Sequence, residues 1–332
     1  MKTISLLLVS TIFFIISCGS PNDPEVFEDN NNGYEIVSKF ATSGYAQDII
    51  KEDSLLFVVQ GEGGLAIVNI KDHSKPKLVS EVLSSLRGYS YKVASKDSVV
   101  FIAAGNFGVS AVDISDPYHP VVTVNNLPMK PAKNLFVKDD YLFTAVSELG
   151  FNIAEVSLPN SPDVRTTTFT PGYAQSIITT EDDKYLLVAC GELGFAMMDI
   201  SDFQEGFGSY PVAGWLDTPG YAVDVITHPT KQIAFLACGT SGLVIIDYAD
   251  TLNLKIIGTF NTGGYAKELA YKDNKIFITT ETRGLQIIDV SDLSKPKRIA
   301  AVSTKYAMGI FIDDQYVYVA DQQEGIVVVK IP

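Results

Sequence analysis

The chain has 332 residues, 46% of them apolar and 19% charged, and a formal net charge of −14. That composition excludes a disordered chain. The acidic balance argues against nucleic acid and anionic membrane surfaces as partners, because phosphate binding needs clustered Lys and Arg.

The first element in chain order is a targeting segment. Lys2 supplies a short positive region, and Ile4 to Ile16 is apolar, interrupted only by Ser5, Ser10 and Thr11. At about 1.5 Å per helical residue this stretch falls short of a hydrocarbon core of about 30 Å, so it reads as a signal sequence and not as a membrane span. It ends Ile15-Ile16-Ser17-Cys18-Gly19, which resembles a bacterial lipobox. The resemblance implies a lipoprotein signal over residues 1–18 with Cys18 as the lipidated residue. It further implies a bacterial cell-envelope protein of the outer membrane, touching the membrane only through its anchor, with the leaflet left open. The alternative is a plain signal peptide with a chance cysteine. Residues 19–33, rich in Pro, Asn and acids, read as a flexible acidic tether.

From residue 34 onward one unit recurs. Its first marker is Gly44-Tyr45-Ala46, then Gly88-Tyr89-Ser90, Lys130-Pro131-Ala132, Gly172-Tyr173-Ala174, Gly220-Tyr221-Ala222, Gly264-Tyr265-Ala266 and Lys305-Tyr306-Ala307. The spacing of about 43 residues marks a repeat protein. Within the unit at Tyr45, the runs Tyr45 to Ile50, Leu55 to Val59, Leu65 to Ile70 and Lys77 to Leu83 are apolar and bounded by Gly, Pro and Asp. Such runs are strand signals with hairpin connections. Four antiparallel strands per unit, repeated radially, define an all-β protein, a seven-bladed β-propeller over residues 34–332.

The last unit reaches Pro332 after its third strand, and an orphan segment, Tyr34 to Ala41, precedes the first marker. Its pattern matches the fourth strand elsewhere. The N-terminal strand is therefore expected to complete the C-terminal blade, burying Ile36, Val37 and Phe40 and removing two open sheet edges.

The third strand of each unit, as in Gly242-Leu-Val-Ile-Ile-Asp247 and Gly284-Leu-Gln-Ile-Ile-Asp289, resembles the repeat of the LVIVD family of surface propellers. The resemblance implies a fold and a surface location, and no activity.

Candidate chemistry is sparse. Asp113, Asp199, Asp247 and Asp289, with Asn69 and Glu155 in register, recur at strand ends ahead of corners that carry Asp72, Asp116, Asp202, Asp250 or Asp292. Recurrence in most blades favours Asx-type turns over a catalytic or metal site. His73, His119 and His228 are dispersed over three units on one face and read as surface histidines. Cys190 and Cys238 occupy matching positions of consecutive units, too far apart for a bridge, and read as small buried thiols. No phosphate loop, nucleophile elbow or zinc motif occurs, and no cofactor or metal is expected.

A non-catalytic binding or scaffolding module, monomeric and serving an envelope protein or glycan, fits this pattern. A propeller hydrolase or lyase with an acidic central pocket is the alternative. The expected binding face carries Tyr45, Tyr89, Tyr173, Tyr221, Tyr265 and Tyr306, beside turns bearing Glu62, Glu148, Glu192, Glu281 and Glu324. Six aromatic rings with an acidic border suit a sugar or a cation. The competing reading is that each Tyr packs on the adjacent blade and plugs the channel. A second candidate contact is Trp215, the only tryptophan, after an enlarged corner at 203–211. By register Trp215 aligns with Thr259.

Overall fold

The computed structural model describes residues 30–83, 85–203, 208 and 210–332. The signal segment with Cys18, residues 19–29 of the tether and most of the enlarged corner lie outside the described residues.

Among the described residues, seven four-stranded antiparallel sheets form the fold. Six blades occupy residues 48–82, 92–127, 134–168, 176–216, 224–260 and 269–302. The seventh joins Ala307–Ile312, Tyr316–Asp321 and Gly325–Lys330 to the N-terminal strand Glu35–Phe40, which pairs with the last of them. The ring thus closes with one strand from one end of the propeller and three from the other, as the repeat pattern implied.

Two details differ from the sequence reading. Ile36 is exposed, and Tyr34 is buried in its place, edge-on to Phe277 of blade six at 5.9 Å. A bulge between Ile36 and Ser38 breaks the alternation of the closing strand, so its inward face shifts. Ordered contacts also begin before Tyr34, because Ala301 donates to the carbonyl of Asn30 at 2.9 Å.

The second and third strands of each blade are buried on both faces, which explains their continuous apolar runs. In Leu55–Val59 and Leu65–Asn69, alternate side chains point to opposite neighbours. Phe57, Val59, Leu65 and Ile67 face blade two, whereas Leu56, Val58, Ala66 and Val68 face blade seven. Seven such cores, one between each pair of neighbouring blades, hold the ring. The centre of the second strand gives each interface a large buried anchor: Phe57, Phe101, Phe143, Leu187, Phe235, Phe277 and, at the closing seam, Tyr318. Burying a phenylalanine stabilises by roughly 1.5–3 kcal/mol.

Tight turns complete the repeat. Gly64 opens the third strand at φ +70°, and a Cβ there would lie 2.0 Å from the carbonyl oxygen of Val82. That close approach accounts for the glycine heading every third strand.

Candidate binding face and central channel

On what we call the upper face, the turn between the second and third strands of each blade meets the entry to the next blade. Bridges pair Gly61 with Ser90, Gly105 with Ala132, Ser147 with Ala174, Gly191 with Ala222, Gly239 with Ala266 and Glu281 with Ala307. These pairs place Tyr89, Tyr173, Tyr221, Tyr265 and Tyr306 beside the preceding blade's turn. A Cβ at Gly61, Gly191 or Gly239 would lie about 3 Å or less from the ring of Tyr89, Tyr221 or Tyr265. Those three rings, half-buried, cover the turn glycines. Tyr306, also half-buried, leans on Glu281. Tyr45 and Tyr173 stand free, 62% and 52% exposed. Where Pro131 interrupts the series, Tyr91 covers Gly105 instead and packs on Tyr89 at 4.9 Å.

The acidic residues divide likewise. Glu62, Glu148 and Glu192 are exposed at the tips of their turns. Glu324 pairs with Lys39 of the closing strand at 2.7 Å, and Glu281 is half-buried beneath Tyr306.

The next turn position, unremarked in the sequence, gives this face a direction. Immediately before the third-strand glycine, it is Phe107, Leu149 and Leu193 in blades two to four, each exposed, but Gly63, Ser241, Arg283 and Glu324 in the others. Phe169, 68% exposed, flanks Leu149, since its Cα approaches Gly150. Trp215 takes the register expected for it, opposite Ala196 as Thr259 is opposite Val244. Its indole donates to the carbonyl of Leu193 at 2.6 Å, which brings it to the upper face. An apolar crescent thus runs over blades two to four. The enlarged corner lies at the other end of its blade, and its flanking Phe203 and Tyr210 are buried in the core between blades three and four.

The tyrosine ring does not form the channel wall. Two positions after each marker, the inner strands carry Gln47, Tyr91, Lys133, Gln175, Val223, Lys267 and Met308, which line a central cavity of about 200 Å³. The following position supplies a charged layer. Lys92 meets Asp48 at 3.2 Å and also contacts Glu268 of blade six. Asp48 accepts from the Val93 amide at 2.9 Å, and Asp224 likewise from the Leu269 amide at 3.0 Å. Each aspartate so ties its blade to the next. Asp224 also accepts from the Ser176 hydroxyl at 2.6 Å. Burial, reinforced by Asp48, holds Glu268 well above the usual carboxylate range, against the pull of Lys92. Burial disfavours the Lys92 charge, but Asp48, Glu268 and Asp224 outweigh it and hold its ammonium above its ordinary value. Burial pushes Lys267 below its ordinary value. The channel is therefore mixed in charge and not purely acidic. A column of polar residues three places after each marker was the available sequence signal.

On the lower face the strand-end acids behave as turn formers. Asp113, Asp199, Asp247 and Asp289 each accept from the backbone amide two residues on, at 2.8–3.0 Å. Asn69 does the same, and Asp72, Asp116, Asp250 and Asp292 repeat the device in the corners. The histidines are less uniform than expected. His119 is exposed beside Asp116, but His73 stacks on Tyr316 at 3.9 Å and His228 is only 8% exposed, packed between Phe235 and Tyr271. Aromatic neighbours from adjacent elements cover the last two, which spacing alone did not reveal. Cys190 and Cys238 are free, fully buried thiols. Among the described residues no group of His, Cys, Asp and Glu could hold a metal ion.

The fold and its repeated turn define a class, the seven-bladed β-propeller. Residues 43–84, 87–126, 263–304 and 305–331 match the LVIVD repeat, so this is a propeller that carries LVIVD repeats. The matches fall on blades one, two, six and seven. No curated protein matches the chain. Among solved structures, the Mitotic Checkpoint Complex contains a chain similar at TM-score 0.69 and 13% identity, over 100% of this chain and 99% of that one. The Cps50 (Swd1) β-propeller domain of Myceliophteria thermophila is similar at TM-score 0.67 and 10% identity, over 90% and 99%. The computationally designed Ika8 protein gives 0.63 and 9%, over 90% and 100%. At these identities the likeness concerns the fold.

Proposed function

We propose that this propeller is a lipid-anchored binding module of the bacterial envelope that holds a protein partner on its upper face. The observation that carries the reading is the confinement of exposed apolar side chains at the second-to-third turns to blades two, three and four. Exposed apolar patches on a soluble surface mark interaction sites, and tryptophan is a frequent anchor. Blades three and four, which hold most of the crescent, lie outside the stretches that match the repeat. Glu148 and Glu192 border it, within a chain of net charge −14, so the complementary segment presents apolar anchors flanked by Lys or Arg. The strand-end acids, engaged in turns, favour binding over catalysis.

Leu193→Asp and Trp215→Ala should each weaken partner capture at least tenfold and leave the melting temperature unchanged, whereas Leu252→Asp on the lower face should leave both unchanged. Equal capture by all three would refute the reading. The anchor is tested separately. Cys18→Ser should abolish palmitate labelling, and labelling that persists would refute lipidation.

A further inference from the structure

The central cavity has two cations with no carboxylate at ion-pair distance, although Glu281 acts on Lys267, and Lys133 on Glu148, from farther off. Lys133 and Lys267 come from blades three and six, which face each other across a seven-membered ring. The Lys133 ammonium rests over the Tyr91 ring at 5.0 Å and the Lys267 ammonium over Tyr265 at 5.5 Å. Among the described residues neither forms an ion pair, although the chain as a whole is strongly acidic. The carboxylates of the adjoining layer are already committed: Asp48 and Glu268 to Lys92, Asp224 to Ser176 and the Leu269 amide. A half-buried ammonium without a carboxylate in direct contact is costly, and an anion in the cavity would relieve that cost.

The rest of the wall narrows the ligand. Tyr91 offers an aromatic face, Gln47 and Gln175 offer amides, and Val223 and Met308 are apolar. A cavity of about 200 Å³ has room for a monosaccharide. The neighbouring Asp48, Asp224 and Glu268 favour a single negative charge over two. We infer that the channel binds a carboxylate-bearing pyranose, a sugar acid, with its carboxylate between Lys133 and Lys267 and its ring against Tyr91. The site is independent of the partner face and would persist if that reading failed.

Isothermal titration of the full chain with D-glucuronate, D-glucose and inorganic phosphate tests the assignment. Glucuronate should bind at least tenfold more tightly than the other two, and less tightly as salt rises. Lys133→Gln and Lys267→Gln should each weaken it about tenfold without lowering the melting temperature, and Lys133→Arg should retain it. A glucuronate oligomer binding more tightly than the monomer would assign the ligand to the end of an acidic glycan, and equal or weaker binding to the free acid. Absence of glucuronate binding, glucose or phosphate binding equally well, or indifference to both Gln variants would overturn the proposal.

Discussion

The ammonium of Lys92 on blade two meets the carboxylate of Asp48 on blade one at 3.2 Å, and the same nitrogen reaches Glu268 across the channel. One side chain thus links three blades whose only other common support is the ring itself. Breaking a buried pair by removing one partner costs about 3–5 kcal/mol, because a charge is left uncompensated. Lys92→Met should therefore lower stability by roughly that amount at neutral pH. The pH dependence has a definite sign. The folded-state pKa of Glu268 is raised, so the folded protein holds more protons and loses stability as pH rises from the ordinary carboxylate range through that value. Without Lys92 the carboxyl pKa values rise further, and the deficit against the parent protein should be larger at pH 8 than at pH 4.5. Equal deficits in thermal melts at both pH values would contradict this.

The closing strand is fastened by more than its ladder. Ser38 donates to the carbonyl of His73 at 2.6 Å, and Lys39 pairs with Glu324. Deleting all residues before Gly44 removes the burial of Tyr34, Val37 and Phe40, a loss of about 3–6 kcal/mol. A fall in melting temperature on the order of 10 °C is expected, together with concentration-dependent association through the opened edge. Calorimetry and light scattering would show both.

Tyr318 stands at the seam where five other interfaces have phenylalanine and one has leucine. Its hydroxyl lies 3.0 Å from both Asp313 Oδ2 and His73 Nε2. Tyr318→Phe keeps the ring and removes that link, and should cost about 1–2 kcal/mol by denaturant titration. Phe101→Tyr, at an interface without such partners, should destabilise by burying an unsatisfied hydroxyl.

The architecture was legible because it is periodic. Glycine turns, apolar strands and strand-end aspartates recur every forty-odd residues, and the unmatched Tyr34 to Ala41 announced the closure. The inner strand of blade two begins later than its marker suggests, at Lys92 and not Tyr89, because Ser90 bridges to Gly61 of the preceding blade. The charged channel was harder to see. Lys92, Asp224 and Glu268 sit on different repeats, and their convergence comes from ring closure. The burial of His228 was equally hidden, since Phe235 and Tyr271 reach it from other strands.

The two buried cysteines give a simple check on the packing. Burial pushes both thiols up to about 12. Neither Cys190 nor Cys238 should react with a thiol-specific disulfide reagent in the native protein at pH 8, and both should react at once in denaturant. Rapid native labelling of either would mean that the cores between blades three and five are open.

The central claim is that the crescent over blades two to four is the surface a partner covers. Photocrosslinking in the native envelope tests it most directly, with the reactive side chain placed at Leu149, Leu193 or, on the lower face, Leu252. Discrete adducts at 149 and 193, absent at 252 and abolished by Trp215→Ala, are the predicted result. Adducts of equal yield at 252, or none at 149 and 193, would contradict the account.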